Sequence, residues 1–303
     1  MKPKIFIDGR EGTTGLQIYD RLSMRNDIEL LSIDESRRKA LYERRRLINS
    51  ADIVFLCLPD DAAREAVRLI ENDNTRVIDA STAHRTDPAW VYGFAELSTL
   101  QRAKISDARF VANPGCHATG FIAMVYPLVE FGILPRDYPL TCFSLTGYSG
   151  GGKKMIREYE AEKTLEMFSP RLYGLDLNHK HLPEMVCMTG LTRKPVFCPV
   201  VDDYYCGLSI TIPLHNALLN DSPTAEQIRR MLADYYQSEK FVKVAPKLGA
   251  GMLHSNWGAG SDEMEITVSG HADQTIITAR FDNLGKGASG AAVQNMDIML
   301  GLL

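Results

Sequence analysis

The chain has 303 residues, 45% hydrophobic and 24% charged, which is typical of a soluble globular protein long enough for two domains. Its 34 basic residues are balanced by 38 acidic ones, so no basic surplus favours a nucleic acid or a membrane surface as partner. No apolar run approaches the ~20 residues needed to span a bilayer, and the N-terminal run resembles no secretory signal. We therefore expect a cytoplasmic protein that acts on a small molecule.

The N-terminal part of the chain alternates short β-rich runs (KIFID, DIELLSI, DIVFLCL, RVIDAS) with helical segments. This order predicts βαβ units and a parallel sheet, the α/β architecture of a Rossmann-type domain. Between the first strand and the first helix, Gly9, Gly12 and Gly15 form a GxxGxxG pattern that includes Thr13. Glycines there let the main chain approach a dinucleotide pyrophosphate at the helix N-terminus. A glycine-rich turn without a ligand is the alternative.

A short charged segment follows the second strand, where a dinucleotide site distinguishes a ribose 2′-hydroxyl from a 2′-phosphate. Asp34 would favour NAD by accepting from the hydroxyl, whereas Ser36, Arg37 and Arg38 offer donors and positive charge to the phosphate of NADP. We favour NADP and leave NAD open. The alternative interpretation is the solvated start of a basic helix.

Ser81 and Arg85 follow the predicted strand RVIDA at its carboxyl end. Open α/β sheets place their ligands at that edge, and an arginine there can grip a phosphate or a carboxylate with two N–H groups. An ordinary loop is the alternative.

Cys116 follows Asn113, Pro114 and Gly115, where the chain leaves the strand RFVAN and enters the helical run CHATGFIAMVYPLVEF. We expect the cysteine at a helix N-terminus, where the helix dipole and unpaired N–H groups stabilise a thiolate. Cys116 is therefore a candidate covalent nucleophile. A buried, unreactive thiol is an equally weighted alternative on local context.

Beyond Cys116 longer strands alternate with helical stretches at 154–164 and 224–237, and the last segment ends as an apolar helix through Leu303. We therefore predict an α+β domain over residues 116–285, with residues 1–115 and 286–303 forming the dinucleotide-binding domain. The run GYSGGGKK contains Ser149 and Gly150 and predicts close approach of the main chain to a ligand. A loop without a ligand is the alternative.

The segment from Asn178 to Glu184 holds two histidines, a lysine and a carboxylate. Histidine has the right intrinsic pKa to exchange protons near pH 7, so His181 is our first candidate acid/base and His179 the second. Extended alternation would put both on one face, with Glu184 orienting one ring. A pair of surface histidines is the alternative, and we expect no metal site because a third ligand is lacking.

Six motifs, taken together, resemble those of N-acetyl-γ-glutamyl-phosphate reductases, specifically the shorter type 2 form. They are GREGTTG, STAHRTDPAWVYGFAEL, ANPGC, GYSGGGK, HKHLPE and KGASGAAVQNM. Their order and spacing extend over nearly the whole chain. Aspartate-semialdehyde dehydrogenases share the architecture and the thiol mechanism, but HKHLPE after GYSGGGK fits the first family better.

The resemblance implies a semialdehyde-dehydrogenase-like fold in which NADPH binds the first domain and the terminal helix returns to that domain. It also implies that Cys116 displaces phosphate from N-acetyl-glutamyl 5-phosphate before hydride reduces the thioester, in arginine biosynthesis. Within the site, His181 would be the acid/base, and Arg85 would bind the substrate phosphate, with Ser81, Lys180 and Glu184 nearby. The three glycines would lie against the pyrophosphate, with Ser149, Gly150 and Asn295 near the nicotinamide. Subunits would pair through the second domain's sheet as a homodimer or homotetramer.

The sequence differs from longer family members at two places. His117 follows Cys116 where a tyrosine is common, which makes it a third candidate proton donor, and Lys153 and Lys180 replace frequent arginines. Three alternatives remain. They are a reductase of aspartyl phosphate or of an aminoadipyl derivative, a non-catalytic NADP-binding regulator, and a thiol hydrolase that needs no cofactor.

Overall fold

The computed structural model describes residues 2–246 and 251–303. The chain forms two compact units, unit 1 comprising Met1–Pro114 and Ala288–Leu303 and unit 2 comprising Gly115–Gly287. Each is described separately below. No helix in the described ranges is both long and apolar enough to cross a membrane.

Unit 1 contains a six-stranded sheet in the order β2-β1-β3-β4-β6-β5, and every pairing in it is parallel. The parallel sheet predicted from the sequence is thereby confirmed. Its elements are β1 (Lys4–Asp8), α1 (Thr13–Ser23), β2 (Glu29–Leu31), α2 (Leu41–Ser50), β3 (Ile53–Leu56), α3 (Asp60–Arg68), β4 (Arg76–Asp79), β5 (Val91–Tyr92), α4 (Thr99–Asp107) and β6 (Phe110–Ala112).

Alternate residues of β1 serve the two faces of this sheet. Ile5 and Ile7 join one buried cluster with Ile18 of α1, while Phe6 joins another with Leu47 of α2. Successive side chains of a strand point to opposite faces, so a strand covered on both sides must be apolar throughout. That requirement explains the unbroken hydrophobic runs in the sequence.

Unit 2 contains a seven-stranded mixed sheet in the order β11-β12-β13-β10-β7-β9-β8. Its elements are α5 (Cys116–Glu130), β7 (Thr141–Gly147), α6 (Gly152–Glu160), β8 (Arg171–Leu172), α7 (Leu182–Thr189), β9 (Val196–Asp202), β10 (Leu208–His215), α8 (Ala225–Tyr235), β11 (Val242–Val244), β12 (Met264–Gly270) and β13 (Gln274–Phe281). Helices α5 and α8 pack on one face. The opposite face, which we call the open face, carries half-exposed apolar side chains, including Phe143, Val196 and Ile276.

After unit 2 the chain passes through a single π-helical turn, Gly285–Ser289, into α9 (Gly290–Met299). Helix α9 packs on α1 and α4, and its Ala292 and Met296 belong to the buried core of unit 1. The predicted extension of this helix through Leu303 is wrong. Gly301 adopts a left-handed conformation with φ of 68°, which ends the helix in the usual manner of a C-terminal glycine.

Candidate active site

The glycine pattern after β1 contains two kinds of glycine. Gly9 has φ of 88°, and a Cβ there would lie 2.3 Å from the carbonyl oxygen of Cys57. A Cβ on Gly15 would lie 2.6 Å from the carbonyl oxygen of Gly9. At Gly12 the nearest atom would be 3.5 Å away, an ordinary contact. Packing within the chain therefore requires Gly9 and Gly15 but does not explain Gly12.

Helix α1 begins at Thr13 directly after this turn, with Gly12 as its N-cap and no side chain capping it. Its first turn also contains no acidic residue. The N–H groups of a first helical turn have no partner within the helix, and together with the helix dipole they favour an anion. The arrangement suits a phosphate group.

A cavity of about 470 Å³ adjoins the glycine turn. Four basic side chains contribute to its lining: Arg10, Arg38, Lys39 and Arg44. Of these four, Arg38 was predicted from the sequence and the other three were not. Lys39 could have been found because it continues the basic run, whereas Arg44 lies within α2 and no sequence signal directs it here.

Arg44 and Asp8 both line this cavity and form a buried ion pair there. Its Nη2 lies 2.9 Å from Oδ2 of Asp8, at the carboxyl end of β1. Burial raises the pKa of Asp8, and the hydrogen bond from Arg44 opposes that rise. Asp8 thus holds a guanidinium group at the edge where parallel sheets bind ligands.

The other residues predicted to distinguish NAD from NADP, namely Asp34, Ser36 and Arg37, do not line the cavity. Asp34 accepts the Ser36 N–H at 2.8 Å and the Ser36 hydroxyl, which caps the short 3₁₀ turn Glu35–Arg37. Arg37 forms an exposed ion pair with Glu43 at 3.3 Å. Asp34 and Ser36 thus bind each other and Arg37 binds Glu43, which leaves Arg38 as the member of the predicted set that reaches the cavity.

Ser81 and its neighbours form a tight network after β4. The Ser81 hydroxyl donates to Oδ2 of buried Asp79 at 2.7 Å, and Nδ1 of His84 lies 2.6 Å from the same oxygen. The His84 ring stacks on Trp90 with 4.1 Å between centroids. In this structure the Ser81 hydroxyl shapes the turn that carries Arg85.

Arg85 is buried, with 8% of its surface exposed. Its Nε donates to the Asn113 carbonyl at 3.0 Å and its Nη2 to the Ala80 carbonyl at 3.1 Å. The guanidinium thus supports the segment that leads to Cys116. Sequence reasoning had assigned it only to a ligand and missed this main-chain role.

Asn295 lies in α9, where its side-chain amide is fully buried in unit 1. Its Nδ2 donates to the Gly93 carbonyl at 2.9 Å and to Oδ1 of Asn113 at 3.1 Å. Nδ2 of Asn113 donates in turn to the Ala288 carbonyl at 3.1 Å. These bonds join the two places where the chain passes between its units, residues 114–115 and 287–288.

Cys116 is the first residue of α5, as the sequence predicted, with Gly115 as N-cap. The thiol is partly exposed. The Gly115 N–H donates to Oε2 of Glu184 at 3.1 Å, which fixes the turn before the cysteine. A Cβ on Gly287 would lie 2.9 Å from Cβ of Cys116, so the π-helical turn closely approaches this residue.

Three histidines form a cluster in unit 2, and one of them, His117, directly follows Cys116 in the chain. The ring centroids of His179 and His181 are 4.8 Å apart, and each lies about as close to His117, at 5.3 and 5.5 Å. The expected extended alternation is wrong, because residues 180–181 form a turn before α7 and His181 has helical φ and ψ. The turn nevertheless brings both rings together.

Glu184 and Lys180 flank this cluster. Oε1 of Glu184 lies 3.9 Å from Nε2 of His181, too far for a hydrogen bond but close enough for an electrostatic interaction. Lys180 is exposed. The predicted constellation of two histidines and a carboxylate is therefore assembled in unit 2, with the lysine at its surface.

His117 differs from its two neighbours because both of its ring nitrogens have partners. Nδ1 lies 2.7 Å from the Ser144 hydroxyl, and Nε2 lies 2.9 Å from the Tyr173 hydroxyl. Burial, together with the charges of His179 and Lys180, lowers the pKa of His117 to about 3. The ring is neutral near pH 7, which disfavours it as a proton donor. No sequence motif pointed to Ser144 or Tyr173.

Ser149 and Gly150 lie in a 3₁₀ turn directly after β7. The Ser149 hydroxyl accepts from Nδ2 of Asn283 at 3.0 Å, and a Cβ on Gly150 would lie 3.1 Å from Oγ1 of Thr146. Both contacts lie within unit 2 and hold this turn in place.

Across residues 2–246 and 251–303, no three His, Cys, Asp or Glu side chains are arranged to bind a metal ion.

Two family models and several named proteins match this chain. A family model for the semialdehyde dehydrogenase NAD binding domain matches residues 4–108, and one for the semialdehyde dehydrogenase dimerisation domain matches residues 116–283. The chain is 49% identical to N-acetyl-gamma-glutamyl-phosphate reductase 2 of Nostoc sp., over 99% of this chain and 98% of the relative. The chain belongs to the N-acetyl-gamma-glutamyl-phosphate reductase family. Another family member, from Sinorhizobium medicae, is 50% identical over 99% of both chains.

Solved structures resemble this member of the N-acetyl-gamma-glutamyl-phosphate reductase family in fold. Aspartate semialdehyde dehydrogenase II from Vibrio cholerae, complexed with ASA, matches with a TM-score of 0.74 at 14% identity over 99% of both chains. Aspartate semialdehyde dehydrogenase from Candida albicans, solved with NADP, matches with a TM-score of 0.67 at 13% identity over the whole of both chains. The predicted semialdehyde-dehydrogenase-like fold is confirmed.

Proposed function

We propose that the protein reduces N-acetyl-glutamyl 5-phosphate to N-acetyl-glutamate 5-semialdehyde and phosphate with NADPH, in arginine biosynthesis. The observation that carries this proposal is Cys116 at the start of α5, where Glu184 accepts the N–H of the preceding Gly115 and the ring of the following His117 packs against His179 and His181. It occurs in a chain about half identical, over its full length, to relatives named for this reaction.

In the proposed mechanism the Cys116 thiolate attacks the acyl carbon and phosphate departs, which leaves a thioester. The thioester would be reduced by hydride, the chemistry that a nicotinamide dinucleotide would supply when bound to unit 1. His181 would protonate the oxygen of the reduced carbon to give the thiohemiacetal, and would take that proton back as the carbon–sulfur bond breaks to release the aldehyde and regenerate the thiolate. We place His181 before His179 because it is the more buried of the two and lies beside the Glu184 carboxylate.

The dinucleotide would be held by unit 1. Packing within the chain does not explain why residue 12 is a glycine. The absence of a side chain at Gly12 would let the pyrophosphate reach the N-terminus of α1 at Thr13. The basic lining of the neighbouring cavity supports NADP over NAD, with Arg38 and Lys39 as ligands of the 2′-phosphate. Ser149, Gly150 and Asn295 remain our proposed neighbours of the nicotinamide.

For the substrate we propose Arg85 as a phosphate ligand. Its bonds to two main-chain carbonyls fix the plane of the guanidinium, and the Ser81 hydroxyl, which accepts the Ala83 N–H, holds the turn that precedes it. Lys180, exposed beside the histidines, would attract the charged substrate, and Glu184 would keep the Cys116 turn in place.

We further propose a cytoplasmic homodimer or homotetramer that pairs through the open face of unit 2. Phe143, Val196 and Ile276 each expose nearly half of their surface on that face. Burying such apolar area between copies is favourable by about 25 cal/mol per Å². The match to a dimerisation domain family over this unit supports the same pairing.

The test is phosphate-dependent NADP reduction with N-acetyl-glutamate semialdehyde, with the acyl phosphate product identified. Aspartate semialdehyde and an aminoadipyl semialdehyde serve as parallel substrates, and preference for either would replace the proposed one. Cys116→Ser should abolish turnover while retaining NADPH binding. A folded wild type that binds NADPH but turns over none of the three would point to a regulator instead, and one that binds no dinucleotide would point to a hydrolase.

A further inference from the structure

Ser144, His117 and Tyr173 form a chain of hydrogen bonds that the mechanism above does not use. It runs from β7 through the residue after Cys116 to the segment that follows β8. We call it the hydroxyl–imidazole chain. Its direction, meaning which atom carries each proton, follows from the partners available to its buried end.

Ser144 is fully buried, and His117 is the only hydrogen-bonding partner of its hydroxyl among the residues that the structure describes. A buried O–H without an acceptor is costly, so the Ser144 hydroxyl donates to Nδ1 of His117. The neutral ring then carries its proton on Nε2 and donates it to the Tyr173 oxygen at 2.9 Å. The Tyr173 O–H is thereby directed away from the ring, and Tyr173 is itself only partly buried.

We propose that Tyr173 is a catalytic hydrogen-bond donor to the oxyanion that forms when Cys116 attacks the acyl group, and that His117 is the residue that positions it. This inference rests on the proposed function. As the sulfur–carbon bond forms, the carbonyl electron pair moves onto oxygen, and the phenol stabilises that charge without transferring its proton. The charge returns to the carbonyl bond as phosphate leaves.

The electrostatics of unit 2 support a donor and not a base. Burial, and to a lesser extent the proximity of Cys116, raises the pKa of Tyr173 above its usual range. The phenol therefore keeps its proton near pH 7. The low pKa of His117, caused first by burial, likewise keeps that ring neutral and the chain's direction fixed.

The experiment separates thiol reactivity from oxyanion stabilisation by using two reagents on the full chain. Acylation of Cys116 by p-nitrophenyl acetate passes through an oxyanion, whereas alkylation by iodoacetamide does not. Tyr173→Phe should slow acylation about 100-fold, as removing one oxyanion donor does elsewhere, and leave alkylation at the wild-type rate. Tyr126→Phe, in the same helix as Cys116, is the control and should change neither rate.

His117 is tested with a matched pair of substitutions. His117→Gln can still donate to Tyr173 and should retain most of the acylation rate, whereas His117→Leu should lose it as Tyr173→Phe does. Thermal unfolding verifies that each variant is folded. Equal slowing of both reagents by Tyr173→Phe, or slowing of neither, would overturn the inference.

Failure of the proposed function would be recognised separately. If the acylation results hold but no semialdehyde supports turnover, the function is wrong and the role of Tyr173 stands. If Cys116→Ser still releases p-nitrophenolate at the wild-type rate, both proposals fail, because Cys116 is then not the nucleophile.

Discussion

Replacing the glycines of the first turn with alanine should separate folding from cofactor binding. At Gly9 the left-handed backbone costs an alanine about 1–2 kcal/mol, and collision of its Cβ with the Cys57 carbonyl adds about 1–3 kcal/mol. At Gly12 the backbone is extended, with φ of −70°, and the nearest atom would be 3.5 Å away. Gly12→Ala should therefore cost only about 0.5–1 kcal/mol, from a poorer N-cap.

The affinity for NADPH should respond in the opposite order to stability, with the larger loss at Gly12. If the pyrophosphate lies against Gly12, the added methyl group should raise the Kd for NADPH at least tenfold, or about 1.4 kcal/mol. Stability is measured by urea unfolding in a Trp257→Phe background, so that Trp90 alone reports on unit 1. Gly301→Ala is the control for backbone strain without collision, because φ is 68° and no atom lies within 4 Å.

Two results would refute this reasoning. A Gly9→Ala variant no less stable than Gly301→Ala would show that the collision is relieved by adjustment of the main chain. A Gly12→Ala variant that binds NADPH with wild-type affinity would show that the pyrophosphate does not approach this residue.

Three further predictions concern unit 1 and the histidine cluster. Asn295→Ala leaves buried acceptors on Gly93 and Asn113 unsatisfied and should lower the free energy of unfolding by about 2–4 kcal/mol, measured through Trp90. Arg38→Ala should weaken NADPH binding about tenfold relative to NADH, whereas Arg37→Ala, outside the cavity, should leave that ratio unchanged in titrations. The His117 pKa is lowered from 6.5 to about 3, so the unfolded chain takes up a proton that the folded chain refuses, and stability falls below pH 6.5. This contributes a loss of about 2 kcal/mol at pH 5, which His117→Gln should remove in urea titrations compared at pH 7 and 5.

The parts of the fold that could be predicted from the sequence are those with local causes. Unbroken apolar runs indicated parallel strands, and Pro114 with Gly115 indicated the helix that begins at Cys116. Two errors also had local signals. Pro183, in the first turn of α7, marks a helix start and argues against an extended segment, and Gly301 marks a helix end.

The contacts that escaped prediction join residues far apart in the sequence. Arg44 meets Asp8 across 36 positions, and His117 meets Tyr173 across 56. Such pairs depend on how the helices and strands pack. Until that packing is known, an arginine within an amphipathic helix is expected to be a solvated side chain. The assignment of Arg85 was incomplete for the same reason, because the main-chain carbonyls it binds are not visible in a motif.

The return of α9 to unit 1 has a consequence for synthesis on the ribosome. Ala292, Met296, Ile298 and Met299 belong to the same buried cluster as Ile5 and Ile7. Strand β1 therefore lacks part of its hydrophobic covering until α9 has been translated. Unit 2, which is continuous in sequence, can complete its own core earlier, reversing the usual order in which the N-terminal domain folds first.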